Sequence, residues 1–222
     1  MKPASTLSAA LADELAAHPR GRVPRALRRR QLLSVAHDVF VERGYQGASM
    51  DEIARRMGIS KPVVYALAGS KEQLFTEVMA SVNAALAEAV AGAVSAEHQS
   101  RLKLRAGILA FLRFVEGRRE AWVALASLEA GPVSAEIAAM RRRQALLVAS
   151  LIVAGEDPAA SGAVDPCTAE ALAHAINGAV ESVAMWWQDH PSIPAEALAD
   201  LLTRAFSVDL LSLGAEPLPG GG

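Results

Sequence analysis

Side chains that commonly contact nucleic acids are concentrated between residues 28 and 71 of this sequence. Arginine, lysine, serine and tyrosine donate hydrogen bonds to phosphate oxygens. Lys61 could also donate to the O6 or N7 atom of a guanine, and Val63 could pack against a thymine methyl group. The candidate DNA contacts are Arg28, Arg29, Arg30, Ser49, Ser60, Lys61, Pro62, Val63, Tyr65 and Lys71.

Chemistry of other kinds has little support in the sequence. The histidines are scattered at His18, His37, His98, His174 and His190, and the sequence holds no His-x-x-x-His motif, glycine-rich phosphate loop or Gly-x-Ser-x-Gly motif. A catalytic site needs acid, base or nucleophile groups that converge. Cys167 is the single cysteine, which rules out a disulfide within the chain and a cluster of cysteines around a metal. We predict a protein that is not an enzyme and that holds no metal or cofactor.

The candidate contacts lie on two short helices that the sequence marks clearly. Ser49 followed by Glu52 forms a capping box that begins a helix through Met57. Gly58 ends this helix because a residue without Cβ readily adopts a positive φ. Ser60 then caps a second helix that has Pro62 in its first turn. Two helices joined by such a turn predict a helix-turn-helix, whose second helix enters the DNA major groove.

The flanking sequence extends this pattern over four helices. It includes the run from Ala36 to Phe40, Gly44-Tyr45, Ser49 to Ala54, Met57 to Ser60, Tyr65, and Gly69 to Phe75. With these motifs the chain resembles the TetR family of transcriptional regulators over about residues 25–80. One departure is the apolar character of the second helix, which has Val63 and Ala66-Leu67-Ala68 where the family usually has polar or aromatic residues.

Composition predicts an all-α fold with two parts. Hydrophobic residues make up 52% of the chain, and no strand-like alternation follows Phe75. Residues 20–75 hold 11 Lys and Arg against 5 Asp and Glu, a net charge of +6, whereas the remainder carries −8. A basic module on an acidic body is expected where one end meets nucleic acid. We predict a flexible extension with a basic arm over 1–24, a helix-turn-helix domain over 25–72, a helical effector-binding and dimerisation domain over 73–213 and a disordered tail over 214–222.

An effector site is expected in the larger domain. His174, Asn177 and Glu181 lie on one face of an otherwise apolar helix, which is typical of the polar end of an apolar pocket. The same pattern also fits a helix face in solvent or a polar seam between subunits. The candidate ligand contacts are Phe111, Phe114, Trp122, Leu125, Met140, His174, Asn177 and Glu181.

Two C-terminal helices carry broad apolar faces that predict a homodimer. Exposed apolar patches of several hundred Å² commonly mark interfaces, and the resemblance implies a four-helix interface from two such helices in each subunit. Trp186 and Trp187 point about 100° apart on a helix, so only one can reach the partner. The candidate interface residues are Ile176, Val180, Val183, Trp187, Leu202 and Phe206.

Two functions fit these patterns. The resemblance implies a homodimeric cytoplasmic regulator, usually a repressor, that binds a palindromic double-stranded DNA operator and leaves it when a small, mostly apolar effector binds. The alternative is a helical protein-interaction module whose degenerate helix-turn-helix no longer reads DNA. The sequence shows no signal peptide and no run of about 18 uncharged apolar residues, so no membrane span is expected.

Overall fold

The computed structural model describes residues 9–18, 23–118, 134–154 and 165–207. Every regular element within these ranges is a helix, which confirms the all-α prediction. The helices are α1 (Ala9–Ala16), α2 (Arg25–Gly47), α3 (Met50–Met57), α4 (Lys61–Ala68), α5 (Lys71–Ser95), α6 (Ser100–Glu116), α7 (Ser134–Ala154), α8 (Pro166–Trp186), a 3-10 turn (Trp187–Asp189) and α9 (Ala195–Ser207).

The two short helices α3 and α4 begin where the sequence marks them, and α3 ends at Met57 as expected. The disordered tail predicted over 214–222 lies outside the described residues. Helix α8 begins at Pro166, because the Asp165 carboxylate accepts hydrogen bonds from the Cys167 N–H (2.9 Å) and the Thr168 N–H (3.3 Å). The same helix ends at Trp186 and tightens into the 3-10 turn.

The described residues form two compact units: the first holds the residues up to Val82 together with 134–136, and the second holds the others, so the divisions fall within α5 and near the start of α7. Aromatic packing explains why the start of α5 belongs to the first unit. The Phe75 ring lies 5.1 Å from that of Phe40 and 5.0 Å from that of Tyr45, both in edge-to-face arrangements. Gly44 has a φ of 65°, which kinks α2 immediately before Tyr45.

The first unit also includes α1, the short N-terminal helix. Leu11 is buried, and the Glu14 carboxylate lies 2.5 Å from the Arg30 guanidinium on α2. The sequence predicts a flexible extension over 1–24, whereas residues Ala9–Ala16 form a helix. Residues 1–8 lie outside the described part of the chain.

In the second unit α6 packs along α9. Ile108, Leu112 and Val115 of α6 are buried, as are Leu198 and Leu202 of α9. Two ion pairs flank this contact: Arg105 with Asp200 at 2.6 Å, and Arg113 with Glu196 at 2.8 Å.

One described helix, α5, is long and apolar enough to cross a membrane, judged by length and composition alone. Core helices of soluble proteins can pass the same criterion. Leu74 and Phe75 at the start of α5 are buried in the first unit, whereas 22% of the apolar window of this helix is buried as a whole.

Candidate nucleic-acid interface

Helix α3 is fixed at both ends by local hydrogen bonds. The Ser49 hydroxyl accepts from the Glu52 N–H at 3.2 Å, which confirms the predicted N-cap. At the other end Gly58 adopts the left-handed conformation, with φ 65° and ψ 32°. The Ile59 N–H closes the turn by donating to the Ala54 carbonyl at 3.1 Å. The sharp turn between α3 and α4 is therefore present as expected.

A network of ion pairs holds α3 against α2. Arg56 lies 2.6 Å from Glu42 on α2 and 2.8 Å from Glu52 on its own helix, and Arg55 also pairs with Glu52. Hydrogen bonds from Arg55 and Arg56 lower the pKa of Glu52 to about 2, and the bond from Arg56 lowers the pKa of Glu42. Both arginines of α3 are therefore engaged within the first unit.

Helix α4 exposes one face almost completely. Ser60 occupies its N-cap position with extended φ and ψ, and Pro62 lies in its first turn. The predicted side-chain cap is wrong, because the Ser60 hydroxyl makes no hydrogen bond to the first turn. Only Val64 and Ala68 of α4 are buried. The exposed residues of this helix are Lys61, Pro62, Val63, Tyr65 and Ala66.

Lys61 is held in place from α3. Its Nζ atom lies 2.8 Å from Oδ2 of Asp51, which is in the first turn of α3. This hydrogen bond raises the pKa of Lys61. The lysine predicted to contact bases is therefore charged and paired with a carboxylate beside the exposed face of α4.

Lys71 begins α5 beside a complete capping box. The Ser70 hydroxyl accepts from the Gln73 N–H at 3.1 Å, and the Gln73 side chain accepts from the Ser70 N–H at 2.9 Å. The Lys71 ammonium lies 4.6 Å from the centre of the Tyr45 ring and 3.3 Å from the Gln46 carbonyl oxygen. A positive charge is thus fixed near a helix N-terminus, where phosphate is attracted.

The three consecutive arginines of α2 have different environments. Arg28 bonds Gln31 in the next turn at 2.9 Å, and Arg30 is exposed beside Glu14. Arg29 instead reaches the Leu67 carbonyl of α4 at 2.6 Å and Glu77 of α5 at 2.5 Å. Arg29 is therefore bonded to two other helices of the first unit, although 41% of its side chain is exposed. Arg20 and Arg22 lie outside the described residues.

The predicted effector residues lie in different surroundings. Phe114 is buried and Phe111 half-buried, whereas Trp122, Leu125 and the side chain of Met140 lie outside the described part of the structure. His174 is exposed near Glu170. Glu181 pairs with Arg141 of α7 at 3.2 Å, and the Asn177 Nδ2 atom is buried without a hydrogen-bond partner. The polar stripe is thus divided between solvent and the interior of the second unit.

The predicted dimer residues require correction. Ile176, Val180, Trp187 and Leu202 are buried within one chain, so they cannot form the surface of an interface; Val183 and Phe206 are half-buried. Trp187 is 0% exposed, and its Nε1–H donates to the Ile193 carbonyl at 2.8 Å because the chain folds back after the 3-10 turn.

The exposed face lies on the other side of these helices. Trp186 is 48% exposed and stacks on His190, and Leu201 is 53% exposed. Small side chains accompany them and permit close helix approach. The exposed face consists of Ala171, Ala175, Gly178, Ser182, Met185 and Trp186 on α8, with Ala197, Leu201 and Ala205 on α9.

Comparisons with known proteins agree with this architecture. A family model described as "Bacterial regulatory proteins, tetR family" matches residues 32–78, and one described as "Tetracyclin repressor-like, C-terminal domain" matches residues 100–208. The HTH-type transcriptional activator FasR of Mycolicibacterium smegmatis is 45% identical over 95 residues, which is 43% of this chain and 43% of that protein. This match therefore spans less than half of either protein.

Two further matches cover more of the chain. A TetR-like transcriptional regulator from Rhodococcus sp. RHA1 is 32% identical, with a TM-score of 0.64 over 85% of this chain and 100% of that one. The HTH-type transcriptional regulator YhgD of Bacillus subtilis is 23% identical over 79% of this chain and 92% of that protein. The matched domains and the helix-turn-helix geometry lead to one conclusion: the chain belongs to the TetR family of DNA-binding transcriptional regulators.

Proposed function

We propose that this protein is a homodimeric, ligand-responsive repressor that inserts one α4 helix per subunit into the major groove of a palindromic operator. The observation that carries this proposal is the exposed face of α4, whose other side is packed by Val64 and Ala68. Lys61, Pro62, Val63 and Tyr65 lie on this face in the part of the helix that approaches base edges. Lys61 suits guanine, and Val63 suits a thymine methyl group.

Phosphate contacts flank this helix in the proposed complex. Arg28, Arg30 and Lys71 supply charge, whereas the Ser49, Ser60 and Tyr65 hydroxyls supply neutral donors. Ser60 supports this assignment because its hydroxyl does not cap its own helix. Such contacts fix orientation and carry no sequence information directly. Operator DNA lies in the bacterial cytoplasm, which is therefore the proposed site of action.

The dimer is assigned to the exposed face of α8 and α9 defined above. Small residues allow helices to approach closely, and Trp186 and Leu201 provide large apolar surface that a partner would cover. A two-fold dimer presents two α4 helices to two half-sites, so we expect the operator to be palindromic.

The effector is assigned to the second unit and is small and mostly apolar. Asn177 supports this assignment, because a buried amide donor without a partner is costly unless a ligand supplies an acceptor. Phe111, Phe114 and the Glu181–Arg141 pair are the other described candidates. Release from DNA requires that the effector prefer the conformation that cannot bind the operator.

A second candidate function is protein interaction through α4. Val63 is 43% exposed, and Lys61 is already paired with Asp51, both of which suit an apolar docking surface. In this case α4 would contact a protein partner and not the major groove.

Fluorescence anisotropy on DNA from the promoter beside the encoding gene tests the leading proposal. Wild-type protein should bind this DNA more tightly than scrambled DNA. Val63→Glu should abolish the preference by placing a carboxylate in the groove. Leu102→Glu is the matched control, because Leu102 is 41% exposed on α6. Equal binding of both DNAs by wild type would favour the protein-interaction function.

A further inference from the structure

The C-terminal end of α4 is held by a side chain from a different helix. The Arg29 guanidinium on α2 donates from Nη1 to the Leu67 carbonyl oxygen at 2.6 Å. Its Nη2 donates to Oε1 of Glu77 on α5 at 2.5 Å. One planar group thus connects three helices of the first unit, and both partners are distant in sequence, at separations of 38 and 48 residues.

Besides the Lys61–Asp51 pair at its start, helix α4 has few other means of keeping its orientation. It contains eight residues, of which only Val64 and Ala68 are buried. Isolated helices of this length are unstable in water, so packing must hold them. The last carbonyls of a helix lack partners within the helix, and a cation near them is favourable. Helix α4 has no basic residue in its own last turn, whereas α3 has Arg55 and Arg56.

Glu77 fixes the guanidinium in the plane that reaches Leu67. A carboxylate and a carbonyl oxygen on two edges of one guanidinium define its position better than either does alone. Lysine cannot reproduce this geometry, because its single ammonium lacks the rigid fork.

We propose that Arg29 is a positioning residue for DNA recognition, which sets the orientation of α4 through Leu67 and is itself oriented by Glu77. This inference rests on the proposed function of α4 as the recognition helix. The inference gives Arg29 a different role from its sequence neighbour Arg28, which is proposed to contact phosphate. Sequence specificity therefore depends on a side chain that touches neither base nor phosphate.

The charge of Glu77 allows the proposed link to be distinguished from a simple electrostatic effect on DNA binding. Replacing a glutamate near DNA with glutamine removes a negative charge and, on electrostatics alone, strengthens DNA binding. Loss of the link with Arg29 should instead weaken specific binding. Glu77→Gln and Arg29→Ala should therefore change specificity in the same direction, although they change the net charge in opposite directions.

Anisotropy titrations on operator and random DNA, across a range of salt concentrations, test this distinction. Arg29→Ala, Arg29→Lys and Glu77→Gln should each lower the ratio of specific to non-specific affinity by about three- to tenfold. The salt slope should stay unchanged in Arg29→Lys and Glu77→Gln. Arg28→Ala should make the slope about one unit shallower with little change in this ratio. Glu88→Gln, at an exposed glutamate on the same α5 helix, is the matched control.

The opposite pattern would overturn the proposal. In that pattern Arg29→Lys would retain full specificity, and Arg29→Ala would make the salt slope one unit shallower. Glu77→Gln would bind both DNAs more tightly. Arg29 would then be a phosphate contact.

Amide hydrogen exchange without DNA separates this inference from the proposed function. In Arg29→Ala and Glu77→Gln, the amides of α4 should exchange about three- to tenfold faster, while those of α3 keep wild-type rates. If these variants exchange faster but the wild type binds no DNA, the proposed function is rejected and the link between Arg29 and Leu67 is retained. Unchanged exchange with intact specificity would reject the link alone.

Discussion

Lys61 and Asp51 form an ion pair across the helix-turn-helix, with the lysine Nζ atom 2.8 Å from the carboxylate Oδ2 atom. The first residue of α4 is thereby tied to the first turn of α3. A carboxylate on the surface proposed to face DNA repels phosphate groups at every DNA sequence. We therefore interpret Asp51 as a residue that suppresses non-specific binding and keeps Lys61 directed along α4.

Asp51→Asn should strengthen binding to random DNA and reduce the specificity ratio. The variant loses one negative charge and frees the Lys61 ammonium for phosphate, so the salt slope on random DNA should become about one unit steeper. The pKa of Lys61 should fall, because the bond to Asp51 raises it. Anisotropy and NMR titration of the lysine measure these effects. Asp189→Asn is the control, and unchanged binding to random DNA would contradict the interpretation.

Glu52→Gln should destabilise the first unit at neutral pH and have little effect in acid. Glu52 has a folded-state pKa of about 2 against an ordinary value of 4.5. Its ion pairs therefore contribute fully above about pH 4.5, and this contribution is lost as the pH falls toward 2. Thermal unfolding followed by circular dichroism should show a gap in Tm between wild type and variant at pH 7 that closes by about pH 2. A gap of equal size at both pH values would argue against this origin; Glu116→Gln is the control.

Trp186 and Trp187 should give opposite results when truncated. Trp187→Ala removes a fully buried ring and should cost about 3–5 kcal/mol of folding stability. Trp186→Ala combined with Leu201→Ala should leave the fold intact and weaken the dimer, since large side chains at an interface commonly contribute about 2 kcal/mol each. Sedimentation and thermal unfolding separate the two effects. A folded Trp186→Ala, Leu201→Ala protein that stays dimeric at sub-micromolar concentration would contradict the assigned face.

Asn177→Leu should keep or increase stability and remove effector binding. Burying an unsatisfied amide costs about 1–3 kcal/mol, so an apolar side chain of similar size removes a penalty. Native mass spectrometry of freshly purified protein should detect a small molecule with wild type and not with the variant. Ser182→Ala, on the opposite, exposed side of α8, is the control. Retention of the same small molecule by Asn177→Leu would exclude Asn177 from the site.

The sequence predicts the helix-turn-helix well because its signals are local. Ser49 and Gly58 act within one helical turn, and the structure shows both where expected. The Ser70–Gln73 capping box is an equally local signal. Contacts between distant residues leave no such pattern. Three adjacent arginines look alike in the sequence, and only the folded first unit turns Arg29 toward Leu67 and Glu77.

The two tryptophans show a second limit of sequence patterns. Helical periodicity correctly indicates that Trp186 and Trp187 face different directions. It does not reveal which direction meets the rest of the same subunit, because both faces are rich in apolar or small residues. The chain folds back at Ile193, whose carbonyl accepts a hydrogen bond from the Trp187 indole N–H. Trp187 therefore faces its own subunit.

Selection of binding sites from randomised DNA tests the central claim most directly. Purified wild-type protein should recover a palindromic motif with half-sites separated by about one helical turn or a multiple of it. Lys61→Ala should recover the same spacing with one relaxed position in each half-site. Recovery of no motif by wild type would contradict recognition of DNA by α4. Recovery of the identical motif by Lys61→Ala would contradict the role of Lys61 as a base contact.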